Sequence, residues 1–390
     1  MTTPQFEIQL IAIVVAVACA IPGTFLVLRK MAMISDAISH SILPGIVIGF
    51  FVSHDISSPL LVFLAALTGV LTVVLVEAVN KTGLVKEDTA IGLVFPALFS
   101  IGVILITRNA GDVHIDTDAV LTGELAFAPF DRFFLNGMDL GPKSLWVMGG
   151  ILIFNLLLLI VFFKEIKIST FDAALAASLG FSPVIIHYTL MSVTSITTVG
   201  AFDAVGAILV VALMIVPAAA AYLLTEDLKK MLGLGALFGA VSALAGYWVA
   251  HWLDTSISGS MATILGLVFL FTYLFAPSKG LIAVITKQKH QKKEFSMVTF
   301  LLHIKNHSNG KNNIAELEIN HLTGHFNWPK KHAKSVLDLA LKNNMVRLEN
   351  NLVILSDKGR QFTSEALDYI VYNKKSEWEN MKGRFLLFRG

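Results

Sequence analysis

Residues 8–28 read IQLIAIVVAVACAIPGTFLVL, and Arg29-Lys30 follows directly. The run holds no charged residue, and its only polar side chains beyond cysteine are Gln9 and Thr24. As a helix rising about 1.5 Å per residue it would be about 30 Å long, the thickness of a bilayer's hydrocarbon core. Met1–Glu7 carries no Lys or Arg, and the apolar run ends in a basic pair instead of a small-residue cleavage site. A cleavable signal has the opposite flanks. The stretch therefore predicts a first membrane helix.

The pattern recurs along the next 250 residues. Candidate spans are 8–28, 34–52, 59–79, 89–107, 145–163, 184–202, 204–224, 231–253 and 259–276. The seventh follows the sixth almost without a loop, so the two can also be one broken helix with a short return. Of the 390 residues, 55% are hydrophobic and 15% charged, against roughly 25% charged in soluble domains. Mean hydropathy is +0.71. Small residues recur within the spans, among them Gly45, Gly49, Ala65, Ala66, Gly69, Gly200 and Gly239. In lipid such residues let helix backbones approach closely. The expected fold is an all-α polytopic membrane bundle of eight to nine transmembrane helices.

Charge divides the chain. Residues 1–277 carry 11 Lys/Arg against 18 Asp/Glu, and residues 278–390 carry 19 against 10. Such asymmetry suggests two domains in different surroundings. The expected boundaries are a membrane domain at 1–281, a basic linker at 282–294 and a cytoplasmic domain at 295–390. With the N-terminus outside, Arg29, Lys30, Lys81, Lys86, Lys164, Lys167, Lys229, Lys230 and Lys279 all face the cytoplasm. Only Arg108, Arg132 and Lys143 then face outward, in the long loop 108–144. That bias satisfies the positive-inside rule. Cys19 is the single cysteine, which excludes an internal disulfide and a cysteine-based metal site. The chain has no G-x-x-x-x-G-K-[ST] loop with which to cradle ATP phosphates.

The chemistry concentrates at Ser35-Asp36-Ala37-Ile38-Ser39-His40-Ser41-Ile42-Leu43-Pro44-Gly45. Ionisable groups inside a span are costly and mark functional sites. Asp36 and His40 stand four apart, so on a helix they share a face. A carboxylate beside an imidazole suits Mn, Fe or Zn better than Mg, Ca or Cu(I). Pro44 removes a backbone hydrogen bond just beyond the pair. Spacing alone leaves a second reading open, in which Arg29 or Lys30 neutralises Asp36 and His40 bonds a hydroxyl. The outer-loop residues His114, Asp116, Asp118 and Glu124 can attract a cation or form a solvated polar loop. Ser192, Thr194, Ser195, Thr197 and Thr198 can line a pore, or bond their own helix backbone and pack.

The motif Asp36-Ala-Ile-Ser-His40-Ser-Ile-Leu-Pro44-Gly45 resembles the signature of the zinc/manganese/iron ABC importer permeases. Gly23-Thr24-Phe25 before Arg29-Lys30, the segment Lys86-Glu87-Asp88-Thr89-Ala90-Ile91-Gly92, and residues 206–220 around Pro217 resemble further family segments in the same order. The resemblance covers about residues 8–281. It implies that Asp36 and His40 coordinate the transported metal, with Pro44, Gly45 and Pro217 as helix breaks or gates. Residues 170–181 are similar to the family's coupling helix, which docks on the ATPase. There Phe171, Asp172, Ala176 and Gly180 fall on its pattern, Thr170 or Asp172 can cap the helix, and Gly180 can end it.

The implied function is the permease of an ABC importer that moves Mn, Zn or Fe across a bacterial inner membrane. The implied partners are a cytoplasmic ATPase subunit, an extracytoplasmic metal-binding protein, a second permease copy or paralogue, and the lipid bilayer. The transported metal is cargo, and no permanently bound cofactor is expected. A proton-coupled secondary metal transporter is the alternative, since Asp36 and His40 can also relay protons.

Beyond Pro277, helices are expected at 295–306, 314–323 and 329–343, then a hairpin at 346–355 and a helix at 356–370. This order resembles the winged helix-turn-helix domain of iron-dependent repressors. A chain anchored in the membrane reaches DNA poorly, so a regulatory protein contact is expected there and nucleic acid is not.

Overall fold

The computed structural model of the protein describes residues 3–54, 58–109, 125–135, 138–308, 326, 328–349 and 351–372. The chain divides into two compact units, Met1–Lys279 and Gly280–Gly390.

The first unit is a helical bundle. Its elements are α1 (Thr3–Leu28), α2 (Ala32–Ser41), α3 (Leu43–Ser53), α4 (Pro59–Lys81), α5 (Glu87–Asn109), α6 (Lys143–Val161), α7 (Phe163–Phe171), α8 (Ala173–Ser178), α9 (Pro183–Val205), α10 (Ala207–Leu224), α11 (Leu228–Leu253) and α12 (Ile257–Phe275). Among the described residues, nine helical segments are long and apolar enough to cross a membrane, with α2 and α3 counting as one. The helix α1 runs through the middle and packs against α6, α9, α10 and α11. Its Ile11, Ala12, Val15, Ala16, Ala18 and Cys19 are fully buried. Close approach explains the small residues. A Cβ on Gly23 would overlap the backbone of Met214 in α10, so no larger residue fits where α1 and α10 cross.

The expected span 34–52 is two helices. Pro44 sits in the first turn of α3, where its missing N–H costs nothing. In a continuous helix its ring would meet the carbonyl of His40, four residues back. The chain therefore ends α2 at Ser41 and restarts at Leu43, with Ile42 between them. A Cβ on the neighbouring Gly45 would overlap the Leu64 carbonyl and Thr68 of α4, which pins the restart against that helix.

Pro217 behaves differently from expectation. The helix α10 runs through it without interruption, and the residue is buried beside Ala218, Ala220 and Ala221. The sharp break lies at Gly206, whose φ of 80° and ψ of 163° interrupt the helix between α9 and α10. Spans six and seven are thus two helices. The connection between α5 and α6 contains a short antiparallel hairpin, β1 (Arg132–Leu135) with β2 (Met138–Pro142). Arg132 ties it down, with Nε 2.5 Å from Asp139 Oδ2 and Nη1 3.3 Å from Glu7 Oε2 near the start of α1.

The second unit is small and mixed. It comprises α13 (Leu281–Ser308), α14 (Lys330–Lys342), the hairpin of β3 (Val346–Glu349) and β4 (Leu352–Leu355), and α15 (Asp357–Tyr372). Val346 pairs with Leu355 and Glu349 with Leu352. Asn351, at φ 66°, makes the tight turn. Met297, Leu301, Ile304, Val336, Ala340, Val353, Phe362 and Ala366 form its core. The basic stretch expected as a linker is helical and belongs to α13. Its Lys and Gln residues are good helix formers, and no Gly or Pro interrupts them. The helix expected at 314–323 lies outside the described residues.

Candidate metal site and docking helix

The helix α2 presents Asp36 and His40 on one side. Asp36 Oδ1 lies 3.5 Å from His40 Nε2, and the two side chains are 38% and 36% exposed. The rest of α2 is anchored. Ile34, Ser35, Ala37, Ile38, Ser39 and Ser41 are buried. Ser35 Oγ donates to Met214 Sδ at 3.1 Å, and Ser41 Oγ shares a 2.6 Å hydrogen bond with Thr72 of α4. The Phe95 ring of α5 stands 5.9 Å from the His40 imidazole. The pair is therefore carried on a fixed helix and remains partly exposed. Among the described residues, no group of three or more His, Cys, Asp or Glu side chains is placed to hold a metal. Asp36 and His40 supply two donors, whereas a tetrahedral or octahedral ion takes four or more.

Arg29, offered by the sequence as a counter-ion to Asp36, is engaged elsewhere. Its Nε donates to Thr170 Oγ1 and its Nη2 to Ser169 Oγ, both at 3.3 Å, and its Nη1 donates to His187 Nδ1 at 3.2 Å. Partial burial pushes the guanidinium pKa below its ordinary value, yet arginine stays protonated. His114, Asp116, Asp118 and Glu124 lie outside the described residues.

The hydroxyl cluster in α9 packs. Thr194 and Thr197 donate to the carbonyls of Leu190 and Val193, one turn back. Ser195 donates to the Ala66 carbonyl, and Thr198 lies against Met214 Sδ. All four are buried.

The helix α8 is built as a separate, rigid turn. Asp172 is its N-cap, accepting from the Leu175 N–H at 2.9 Å. At the other end Gly180 takes φ 87°, a conformation that disfavours a Cβ. The Phe181 N–H closes on the Ala176 carbonyl at 3.0 Å. Ala176 is fully buried. Phe171, Leu175 and Leu179, at four-residue spacing, are 60%, 47% and 55% exposed. A short helix outside the spans thus has exposed apolar side chains at Leu175 and Leu179, with Phe171 exposed at the end of the preceding α7. Thr170 does not cap α8 and instead meets Arg29.

Sequence reasoning passed over Glu77 and His187. His187 Nε2 lies 2.5 Å from Glu77 Oε1, although its N–H is not well aligned on that oxygen. Glu77 also accepts from Tyr188 OH at 2.7 Å and Lys81 Nζ at 3.2 Å. Both residues are ionisable groups inside spans, the rule that had marked Asp36 and His40.

Residues 5–276 match the model of the ABC 3 transport family. The chain belongs to that family. It is a multi-pass membrane permease subunit of an ABC transporter and not itself an enzyme. Among curated relatives of this ABC 3 permease is the "Zinc transport system membrane protein TroD" of Treponema pallidum. It is 47% identical over 365 residues, covering 94% of this chain and 99% of the relative. The "Manganese transport system membrane protein MntD" of Bacillus subtilis is 46% identical over 292 residues, covering 74% of this chain and 99% of that one. The first match runs through most of both units, whereas the second exhausts its relative over little more than the length of the bundle. Among solved structures, PsaBC from Streptococcus pneumoniae in complex with Fab is 29% identical. It superposes with a TM-score of 0.60 over 71% of this chain and 94% of that chain.

Proposed function

We propose that Asp36 and His40 form the metal clamp of an ABC importer of zinc, manganese or iron, of which this chain is the permease subunit. The observation that carries this reading is the pairing itself. A carboxylate and an imidazole 3.5 Å apart project to the open side of a helix whose other side is locked into the bundle. The donor chemistry fits a borderline divalent ion. The relatives named for zinc and manganese transport support the same cargo class.

Two donors hold an ion weakly, which suits transport, because cargo must leave. A second permease copy facing the first would bring the donors to four and enclose the ion between two bundles. The break at Ile42 lets α2 and α3 shift relative to each other next to the clamp.

In this reading the N-terminus is outside and α8 lies in the cytoplasm, where the basic loops gather. The exposed Leu175 and Leu179, with Phe171 just before the cap, dock on the ATPase subunit, and the caps at Asp172 and Gly180 keep α8 rigid enough to pass a push. A metal-binding protein delivers the ion at the outer face. The second unit is a winged-helix-like regulatory module, a reading supported by its order of helices and hairpin.

Metal analysis of cells lacking this chain tests the function. Loss of Mn, Zn or Fe accumulation, restored by the wild-type chain and not by Asp36→Ala, is expected. Unchanged content of all three metals would reject the importer.

A further inference from the structure

The turn between α1 and the metal-bearing α2 is anchored to the segment that leads into α8, and the anchor is polar. Arg29 is the first residue after α1. Ser169 and Thr170, which accept from it, lie at the end of α7, three and two residues before the Asp172 cap of α8. On the other side Arg29 meets His187 of α9, and His187 meets Glu77 of α4. An apolar shell of Ile21, Phe25, Leu159, Ile166, Leu190 and Leu228 packs around the same end of the bundle.

Donor chemistry fixes the direction of this chain of contacts. Arginine has only donors, so His187 Nδ1 must accept and the imidazole proton sits on Nε2. Nε2 stands in close polar contact with Glu77 Oε1, its N–H turned off the line to that oxygen. The carboxylate is held in turn by Tyr188 and Lys81. A cation, a neutral imidazole and an anion thus stand in series across the end of α1, α9 and α4. Such a series, with each partner supplied by a different helix, resists separation of those helices more than any one contact does.

The backbone beside it is strained. The turn closes with Lys30 N–H on the Val27 carbonyl and Met31 N–H on the Leu26 carbonyl. This helix ending favours glycine at the left-handed position, yet Lys30 holds it at φ 62°. Such a conformation persists where the surrounding contacts hold the backbone in place.

We propose that Arg29, His187 and Glu77 are positioning residues for transport, tying a displacement of α8 to the orientation of α2 and its Asp36–His40 pair. This rests on the reading of α8 as the ATPase-docking helix and of α2 as the metal helix. A push on α8 moves Ser169 and Thr170, Arg29 follows, and the strained turn re-aims α2. His187 and Glu77 hold the guanidinium against α9 and α4, so that α1 does not yield instead.

The test is the number of metal ions transported per ATP hydrolysed, measured on the full chain assembled with its ATPase and reconstituted in liposomes with Mn(II) or Zn(II). His187→Leu removes both the acceptor and the donor, while His187→Gln keeps one of each. Transport per ATP is expected to fall about two- to thirtyfold in His187→Leu, the range of energies measured along coupling networks. ATP hydrolysis should persist, and His187→Gln should restore much of the ratio. An unchanged ratio in His187→Leu would overturn the relay while leaving the importer intact. If that variant fails to assemble, the double variant Ser169→Ala/Thr170→Val reads the same link, and wild-type coupling there overturns it. A wild-type complex that moves neither metal would overturn the importer reading, and the relay with it.

Discussion

His40 Nε2 lies 3.5 Å from Asp36 Oδ1, one turn along α2, on the side of that helix that the bundle leaves open. The geometry places a weak base beside an acid where an ion can approach both. It also explains why Arg29, only seven residues earlier, does not neutralise Asp36. The strand of chain between them turns, and the guanidinium is taken up by Ser169, Thr170 and His187.

The restart of the chain after the clamp depends on a missing side chain. A Cβ on Gly45 would overlap the Leu64 carbonyl and Thr68 Oγ1. Gly45→Val must separate α3 from α4, at a cost of about 1–3 kcal/mol, typical of overpacking. A lower unfolding temperature of the purified chain in detergent, with metal uptake reduced, is the expected result.

The caps of α8 give a second prediction. Asp172→Ala removes the acceptor for the Leu175 N–H and should cost the helix about 0.5–2 kcal/mol. Gly180→Val forces a branched side chain to φ 87°, costing at least about 1–2 kcal/mol. Both variants should insert into the membrane normally and bind the ATPase subunit less tightly, as read by co-purification. The exposed Leu175→Asp should weaken that assembly without disturbing the caps.

The β1–β2 hairpin should depend on pH. A hydrogen bond from the Gly141 N–H, and the Arg132 guanidinium beside it, hold the Asp139 carboxyl below the usual carboxylate range. A carboxylate with a lowered folded pKa stabilises the fold above its unfolded value, about 3.9. That contribution fades as pH falls through the folded value. Amide exchange of the β1–β2 segment should therefore show full protection from neutral pH down to about pH 5, then declining protection below about pH 4. Asp139→Asn should be less protected at neutral pH and flatter with pH.

Much of this molecule is legible in its residues. The run 8–28 announces a span because lipid leaves apolar residues no other rule to obey, and the same logic locates the others. Asp36 and His40 stand out because charge is so costly there. The break near Pro44 follows from a missing N–H. Pro217 carries the same ring, yet its helix continues, with Pro217 buried beside Ala218, Ala220 and Ala221. Local sequence cannot separate these outcomes, since the difference lies in what packs alongside. The long-range contacts are hidden for the same reason. Arg29 and His187 are 158 residues apart, and only the fold joins them. Glu77 and His187 could have been found individually as ionisable groups in spans, though their pairing could not. The basic stretch before residue 294 looks like a linker by charge, yet its residues are helix formers, and α13 takes them in.

The clamp is tested most directly by ATP-driven Mn(II) or Zn(II) uptake into liposomes holding the chain assembled with its ATPase, with Asp36→Asn and His40→Gln compared with wild type. Each substitution keeps the size of the side chain and removes a metal donor or weakens it. Uptake should collapse in both variants while assembly and membrane insertion stay intact. Wild-type uptake in either variant would contradict the assignment of that residue as a ligand, and wild-type uptake in both would remove the metal site from α2.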